Sequence, residues 1–279
     1  MGAGSLVAVF VVGLLAGLLS GLVGVGGGVL MVPFLYFFYG RPGWSGVAPP
    51  PDVATVAAHA TSLFVILPTS VRGAWAYHRR GLVVWRAVWP VGAAAAVAAA
   101  VASRAAVQVD PRWLRLVFAL FLLWNAVDVL RPPGTPAEGG GAGERPLRLS
   151  LPLTAGVGSV IGVFSAFLGV GGGLLAIPLL MHAVRIDLRR VAATSLAIIA
   201  LTSLGGALAY MLARPGAAVR PGFSMGYVDL AVAGVLAAGT VLSVGWGAEL
   251  NRRLNPRHLA IVFALLFAAL GARLLMENV

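Results

Sequence analysis

The sequence predicts an all-α, polytopic membrane protein of two homologous helical repeats, each interrupted by a glycine-broken half-helix. Three observations carry that prediction. Of 279 residues, 59% are hydrophobic and only 10% are charged, against about 25% charged in soluble domains. The apolar residues gather into ten runs, parted by short segments that carry most of the arginines. One phrase, Gly24-Val25-Gly26-Gly27-Gly28 with Leu30 and Pro33 behind it, returns as Gly169-Val170-Gly171-Gly172-Gly173 with Leu175 and Pro178 behind it.

A spanning helix needs about 20 apolar residues. In the first half the runs are 5–23, 28–39, 53–77, 82–103 and 113–130. In the second they are 151–168, 173–184, 191–212, 228–247 and 258–276. The run at 5–23 has no basic residue before it and leads straight into the glycine phrase, so it reads as a retained membrane segment rather than a cleaved signal. The runs at 28–39 and 173–184 hold only 12 residues each. At 1.5 Å per residue such a helix reaches roughly 18 Å, little more than half the bilayer core. They are therefore expected to be half-helices, which leaves about eight to ten membrane segments.

The two halves align as a duplication. Residues 17–33 match 162–178 at 9 of 17 positions, and residues 60–77 match 193–210 at 11 of 18. The second match pairs Ala60-Thr61-Ser62-Leu63 with Ala193-Thr194-Ser195-Leu196. The expected organisation is a first membrane repeat at 1–131, a flexible linker at 132–150 and a second membrane repeat at 151–279. The linker contains Pro132, Pro133, Pro136 and the glycine run 139–141, a composition that cannot bury a core. Broken helices at matched places in two repeats point to a secondary transporter.

Charge orients the repeats. All 20 basic residues are arginine. If the repeats are inverted, 12 arginines collect on one face and 7 on the other, with Arg72 inside a segment. If they are parallel, the same arginines divide as 10 and 9. The positive-inside rule favours inversion, with both termini outside. The same placement explains the +11 net charge without nucleic acid as a partner.

Several chemistries are excluded. There is no cysteine, hence no disulfide or thiolate. No lysine follows the glycines, so they are not a phosphate-binding loop, and their spacing is not that of a dinucleotide fingerprint. No metal-ligand motif occurs, and no metal or other cofactor is expected. An intramembrane hydrolase would need a serine and a histidine; Ser20 and His59 are the pair to consider, although Ala192 stands where the second repeat would need its histidine.

What remains is anion chemistry. Gly24, Gly26, Gly27 and Gly28, like Gly169, Gly171, Gly172 and Gly173, expose backbone N–H groups at the start of a half-helix, where the helix dipole favours an anion. Ser20 and Ser165 stand four residues before each motif. Thr61, Ser62, Thr194 and Ser195 supply further hydroxyls that add no charge to the membrane, unless they bond back to helical carbonyls. Thr69-Ser70 and Thr202-Ser203 lie two turns further along. Arg72 and His59 are candidates for fixed charge or proton coupling. Close helix packing is the competing role for the glycines.

The duplicated glycine phrase with its proline, together with the two Ala-Thr-Ser-Leu segments, resembles the TauE/SafE family of sulfite exporters and toluene-sulfonate uptake permeases. The resemblance covers nearly the whole chain. It implies a multi-pass transporter of the bacterial cell membrane for small sulfur-containing anions such as sulfite, sulfonates or sulfoacetate. The expected function is export of such an anion by alternating access, with the anion and the lipid bilayer as its partners. A passive anion channel, or an intramembrane enzyme or membrane assembly protein, are the alternatives.

Overall fold

Each of the ten apolar runs is a helix in the computed structural model, which describes residues 2–41, 50–130, 146–214, 223–251 and 256–278. Helices α1 (Ala3–Val23) and α2 (Gly28–Gly40) flank the first glycine motif. Helices α3 (Pro51–His78), α4 (Trp85–Ala106) and α5 (Pro111–Leu130) complete the first repeat. In the second repeat α6 (Leu151–Leu168) and α7 (Gly173–Leu179) flank the motif, and a π turn at Leu180–Val184 extends α7. Helices α8 (Leu188–Leu212), α9 (Leu230–Leu250) and α10 (Pro256–Asn278) follow. The proposed linker falls mostly on 131–145, outside the described residues.

Among the described residues, six helices are long and apolar enough to cross a membrane: α1, α3 from Val53, α4, α6, α8 from Arg189, and α9. The short elements after each motif have 13 residues in α2, and 7 in α7 plus 5 in its π turn. The half-helix expectation therefore holds by length.

A small hairpin was not foreseen. Ser224–Met225 (β1) pairs antiparallel with Val228–Asp229 (β2) through a turn at Gly226, whose φ of 59° suits glycine. It delivers Asp229 to the start of α9, where its Oδ1 accepts from the N–H groups of Ala231 and Val232 at 3.1 Å. A carboxylate there caps two orphan donors and meets the positive end of the helix dipole.

The repeats interlock by exchanging partners. The first helix of each packs on the fourth helix of the other, α1 on α9 and α6 on α4. Gly13, Gly17 and Gly21 recur every four residues and so share one face of α1. A β-carbon on Gly13 would come within 2.6 Å of the Leu236 carbonyl, and one on Gly17 or Gly21 would strike the backbone at Thr240 or Val244. In α6, Gly158 and Gly162 press in the same way on the backbone of Val91 and Ala95. Lipid offers no hydrophobic drive for helix pairing, so backbone-to-backbone contact at small residues supplies dispersion instead.

At the centre α3 lies against α8, its counterpart. The Leu196 side chain lies 3.0 Å from a β-carbon placed on Gly73, and the Leu63 side chain lies 3.0 Å from one placed on Gly206. As the number rises along α3 it falls along α8, so the two helices are antiparallel. Equivalent helices running in opposite senses put the two-fold axis across the helices, the inverted relation that the arginine count favoured.

Candidate functional site

The two glycine motifs meet at this axis. Gly24 and Gly169 end their helices in the left-handed conformation, with φ of 81° and 67°. Their N–H groups donate to the carbonyls of Ser20 at 2.8 Å and Ser165 at 2.9 Å. Each helix thus stops by a glycine cap, and it is the carbonyl of each serine, not its hydroxyl, that closes the last turn. Gly27 and Gly172, both with φ of 77°, then start the half-helices.

Contacts around the motifs obey the two-fold axis residue by residue. A β-carbon on Gly24 would come within 2.7 Å of Ala192 Cα, and one on Gly169 within 2.6 Å of His59 Cα. His59 and Ala192 are themselves equivalent positions in α3 and α8. Gly28 sits against Val170 Cα, 2.6 Å from its would-be β-carbon, and Gly173 against Val25 Cα at 2.5 Å. Each half-helix therefore begins on the valine of the other motif. The packing role considered for the glycines is real, and in this structure the motifs are closed upon each other.

The hydroxyls divide into two groups. Thr61 and Thr194 serve the fold: Thr61 Oγ1 accepts from the N–H of Asp229 at 3.1 Å, and Thr194 Oγ1 accepts from the N–H of Val84 at 3.2 Å. Asp229 and Val84 are the residues before α9 and α4, so both threonines hold a helix start of the neighbouring element. Thr69, Ser70 and Thr202 bond back to the carbonyls of Val65, Ile66 and Ile198 at 2.7, 2.6 and 2.9 Å, the ordinary role for hydroxyls in lipid.

Ser20, Ser62, Ser165 and Ser195 differ. All four are fully buried, and among the described residues none of their hydroxyls has a hydrogen-bond partner. They form two equivalent pairs; Ser203, further along α8, is likewise buried without a partner among the described residues, but its counterpart Ser70 is bonded. Ser62 lies between His59 and Ile66 at helical spacing, on the face of α3 that touches Gly169 and Gly171. Ser195 lies between Ala192 and Ile199 on the matching face of α8, which touches Gly24 and Gly26. Ser165 Cβ lies 3.4 Å from a β-carbon placed on Gly172. A buried polar group left unpaired costs about 1–3 kcal/mol, so four such hydroxyls around one element are a costly arrangement for packing alone.

The other candidates fall elsewhere. Arg72 is exposed on the outer face of α3, with its guanidinium over Gly245 of α9. His59 is buried and hydrogen-bonds Tyr36 on α2 through Nε2. It does not pair with Ser20, so the hydrolase pair is not assembled. Sequence reading missed Tyr36, Tyr39 and Arg115. Tyr39 reaches Thr61 Oγ1 and Asp229 Oδ2, each at 3.4 Å, and Arg115 Nε donates to Thr55 Oγ1 at 2.7 Å. The run 113–130 reads as one apolar helix, and nothing in it distinguishes Arg115 as facing inward. Among the described residues no group of three or more acidic, histidine or cysteine residues is placed to hold a metal.

Comparison with known proteins gives the same class. The model of the sulfite exporter TauE/SafE family matches residues 9–274. A probable membrane transporter protein of Methanocaldococcus jannaschii is 28% identical over 267 residues, 95% of this chain and 94% of that protein. The probable membrane transporter protein YunE of Bacillus subtilis is 26% identical over 292 residues, 99% of each chain. One from Haemophilus influenzae is 25% identical over 95% of this chain and 96% of its own. No solved structure matches. With a family match over nearly its whole length and full-length relatives named as transporters rather than enzymes, the chain belongs to the sulfite exporter TauE/SafE family of membrane transporters.

Proposed function

We propose that this protein carries a small sulfur oxyanion or sulfonate out across the bacterial inner membrane by alternating access. The observation that carries the proposal is the pair of equivalent, unpartnered serine couples, Ser20 with Ser165 and Ser62 with Ser195, around the two glycine breaks. An oxyanion has several acceptor oxygens and needs donors arriving from more than one side. Hydroxyls and half-helix N–H groups supply donors without placing charge in the membrane. The sulfur class rests on the description of the family.

The closed packing of the motifs supports a carrier over a passive channel. Gly28 on Val170 and Gly173 on Val25 leave the half-helix starts covered, so the site opens only when one motif moves against the other. Movement of the α1–α9 pair against the α4–α6 pair, each of which joins one helix from either repeat, would uncover the serines from one side and then from the other. With both termini outside, the arginine-rich loops face the cytoplasm.

The test is transport of labelled sulfite, sulfoacetate and acetate in proteoliposomes, with and without a pH gradient. Saturable movement of a sulfur anion that falls about tenfold in Ser62→Ala and in Ser195→Ala is the expected result. Movement of acetate alone would remove the sulfur assignment. No anion movement by folded protein would refute transport through this site.

A further inference from the structure

One polar cluster breaks the two-fold relation that the rest of the motif region obeys. Arg115, near the start of α5, is half-buried and donates through Nε to Thr55 near the start of α3. Its guanidinium carbon lies 5.5 Å from the centre of the Tyr36 ring on α2. The Tyr36 hydroxyl is hydrogen-bonded to His59 Nε2, and the His59 backbone abuts Gly169. The offsets that align the repeats place Leu188, Met181, Ala192 and Ala260 at the positions of Thr55, Tyr36, His59 and Arg115. The second repeat has no polar group at any of the four.

The cluster has donors to spare. A guanidinium has five N–H groups, and here one is used on Thr55. Among the described residues Arg115 makes no ion pair. Tyr36 and His59 together hold two acidic hydrogens and share one hydrogen bond, so one donor remains in either tautomer. If the imidazole accepts from the phenol, that donor is Nδ1–H, and Nδ1 is buried without a partner among the described residues. A cation beside a spare buried donor suits an oxyanion, since a guanidinium fork can hold two oxygens of one anion.

We propose that Arg115, Tyr36 and His59 form a second, charged docking site for a sulfite-class oxyanion, at one mouth of the pathway only. This rests on the anion-transport reading above. The one-sidedness follows from the antiparallel α3 and α8. The start of α3, the end of α2 and the start of α5 gather at one end of the molecule, and the apolar counterparts Leu188, Met181 and Ala260 gather at the other. An anion therefore meets a half-buried arginine when the path opens on the first side, whereas Arg189 and Arg190, beside Leu188 on the second side, are exposed. That gives the two open states different affinities for the anion. The arginine balance puts the Arg115 end outside.

The test is equilibrium binding of labelled sulfite to the full chain in phosphatidylcholine nanodiscs, repeated with phosphatidylglycerol added. Arg115→Gln is expected to weaken binding by about tenfold or more, the size of one lost charge-assisted bond. Arg115→Lys, which keeps the charge, is expected to recover most of it and guards against misfolding of the first variant. In the double variant Ser20→Ala with Ser165→Ala, which is expected to lose transport, Arg115→Gln is expected still to weaken the remaining binding by about tenfold. Wild-type affinity in Arg115→Gln would overturn the site. So would loss of all binding in the serine variant, or binding that phosphatidylglycerol abolishes, which would assign Arg115 to a lipid headgroup. Sulfite bound through Arg115 without transport would overturn the transport reading alone, and wild-type protein that neither binds nor moves sulfite would overturn both.

Discussion

Ile66 and Ile199, equivalent residues of the two repeats, converge on the same glycines. The Cγ2 atom of each lies 3.3 Å from a β-carbon placed on Gly26, and they lie 3.0 and 2.9 Å from one placed on Gly171. Both isoleucines sit near the middle of their helices, α3 of 28 residues and α8 of 25. The motifs therefore meet at mid-depth, with an isoleucine from each repeat closing the gap.

Gly26→Ala and Gly171→Ala should destabilise the protein to a similar degree. Both residues have positive φ, 91° and 78°. A left-handed backbone costs an L residue roughly 1–2 kcal/mol, and the new methyl must also displace the isoleucines. Thermal unfolding in detergent would check this, and a large difference between the two variants would break the two-fold description of the centre.

Ser62→Ala and Ser195→Ala should leave stability unchanged or raise it by about 1 kcal/mol, since each removes an unsatisfied buried hydroxyl. Transport should fall by about tenfold in either variant if the hydroxyl binds substrate. Uptake and unfolding measured on the same preparations separate the outcomes. A loss of stability would show that each hydroxyl has a structural partner.

Tyr77→Phe and Tyr210→Phe should cost about the same as each other, near 1 kcal/mol. Tyr77 donates to the Gly21 carbonyl at 2.8 Å, and Tyr210 donates to the Ala166 carbonyl at 2.9 Å. These are equivalent bonds, each tying the third helix of a repeat to its first. Unfolding midpoints would show whether they carry equal weight.

Gly17→Val should prevent stable folding, because the side chain would strike the backbone of α9 at Thr240. Gly156→Ala, with nothing within 4 Å of its new methyl, should instead stabilise α6 by about 0.5–1 kcal/mol. Folded yield by size-exclusion chromatography distinguishes a packing glycine from an incidental one.

Arg72→Gln should leave anion transport within about twofold of wild type, because an exposed charge remote from the motif contributes little. Its guanidinium lies over Gly245 on the outer face. A large loss in the uptake assay would show that Arg72 reaches the pathway when the motifs separate.

The ten helices, the two breaks and the membrane class are legible in the amino-acid sequence. Those depend on local composition: an apolar run must form a helix in lipid to satisfy its backbone, and three successive glycines end one at each motif, whereas the pair Gly205-Gly206 stays within α8. The sequence also marked Ser20, Ser62, Ser165 and Ser195, because the duplication pointed to them twice. The GxxxG spacing of Gly13, Gly17 and Gly21 was legible too, but a spacing names a face and not the helix it meets. The pairing of α1 with α9 and of α6 with α4 emerges from the packed bundle. The tertiary structure alone separated the unpartnered serines from Thr61 and Thr194, which hold the starts of α9 and α4. It moved Arg72 to the surface and brought Arg115 beside Tyr36 and His59, which stand 79 and 56 residues earlier in the chain. The physical reason is that hydrogen-bond partners of a buried side chain come from other helices, and helix partners in a membrane are chosen by shape across the whole bundle rather than by any local pattern.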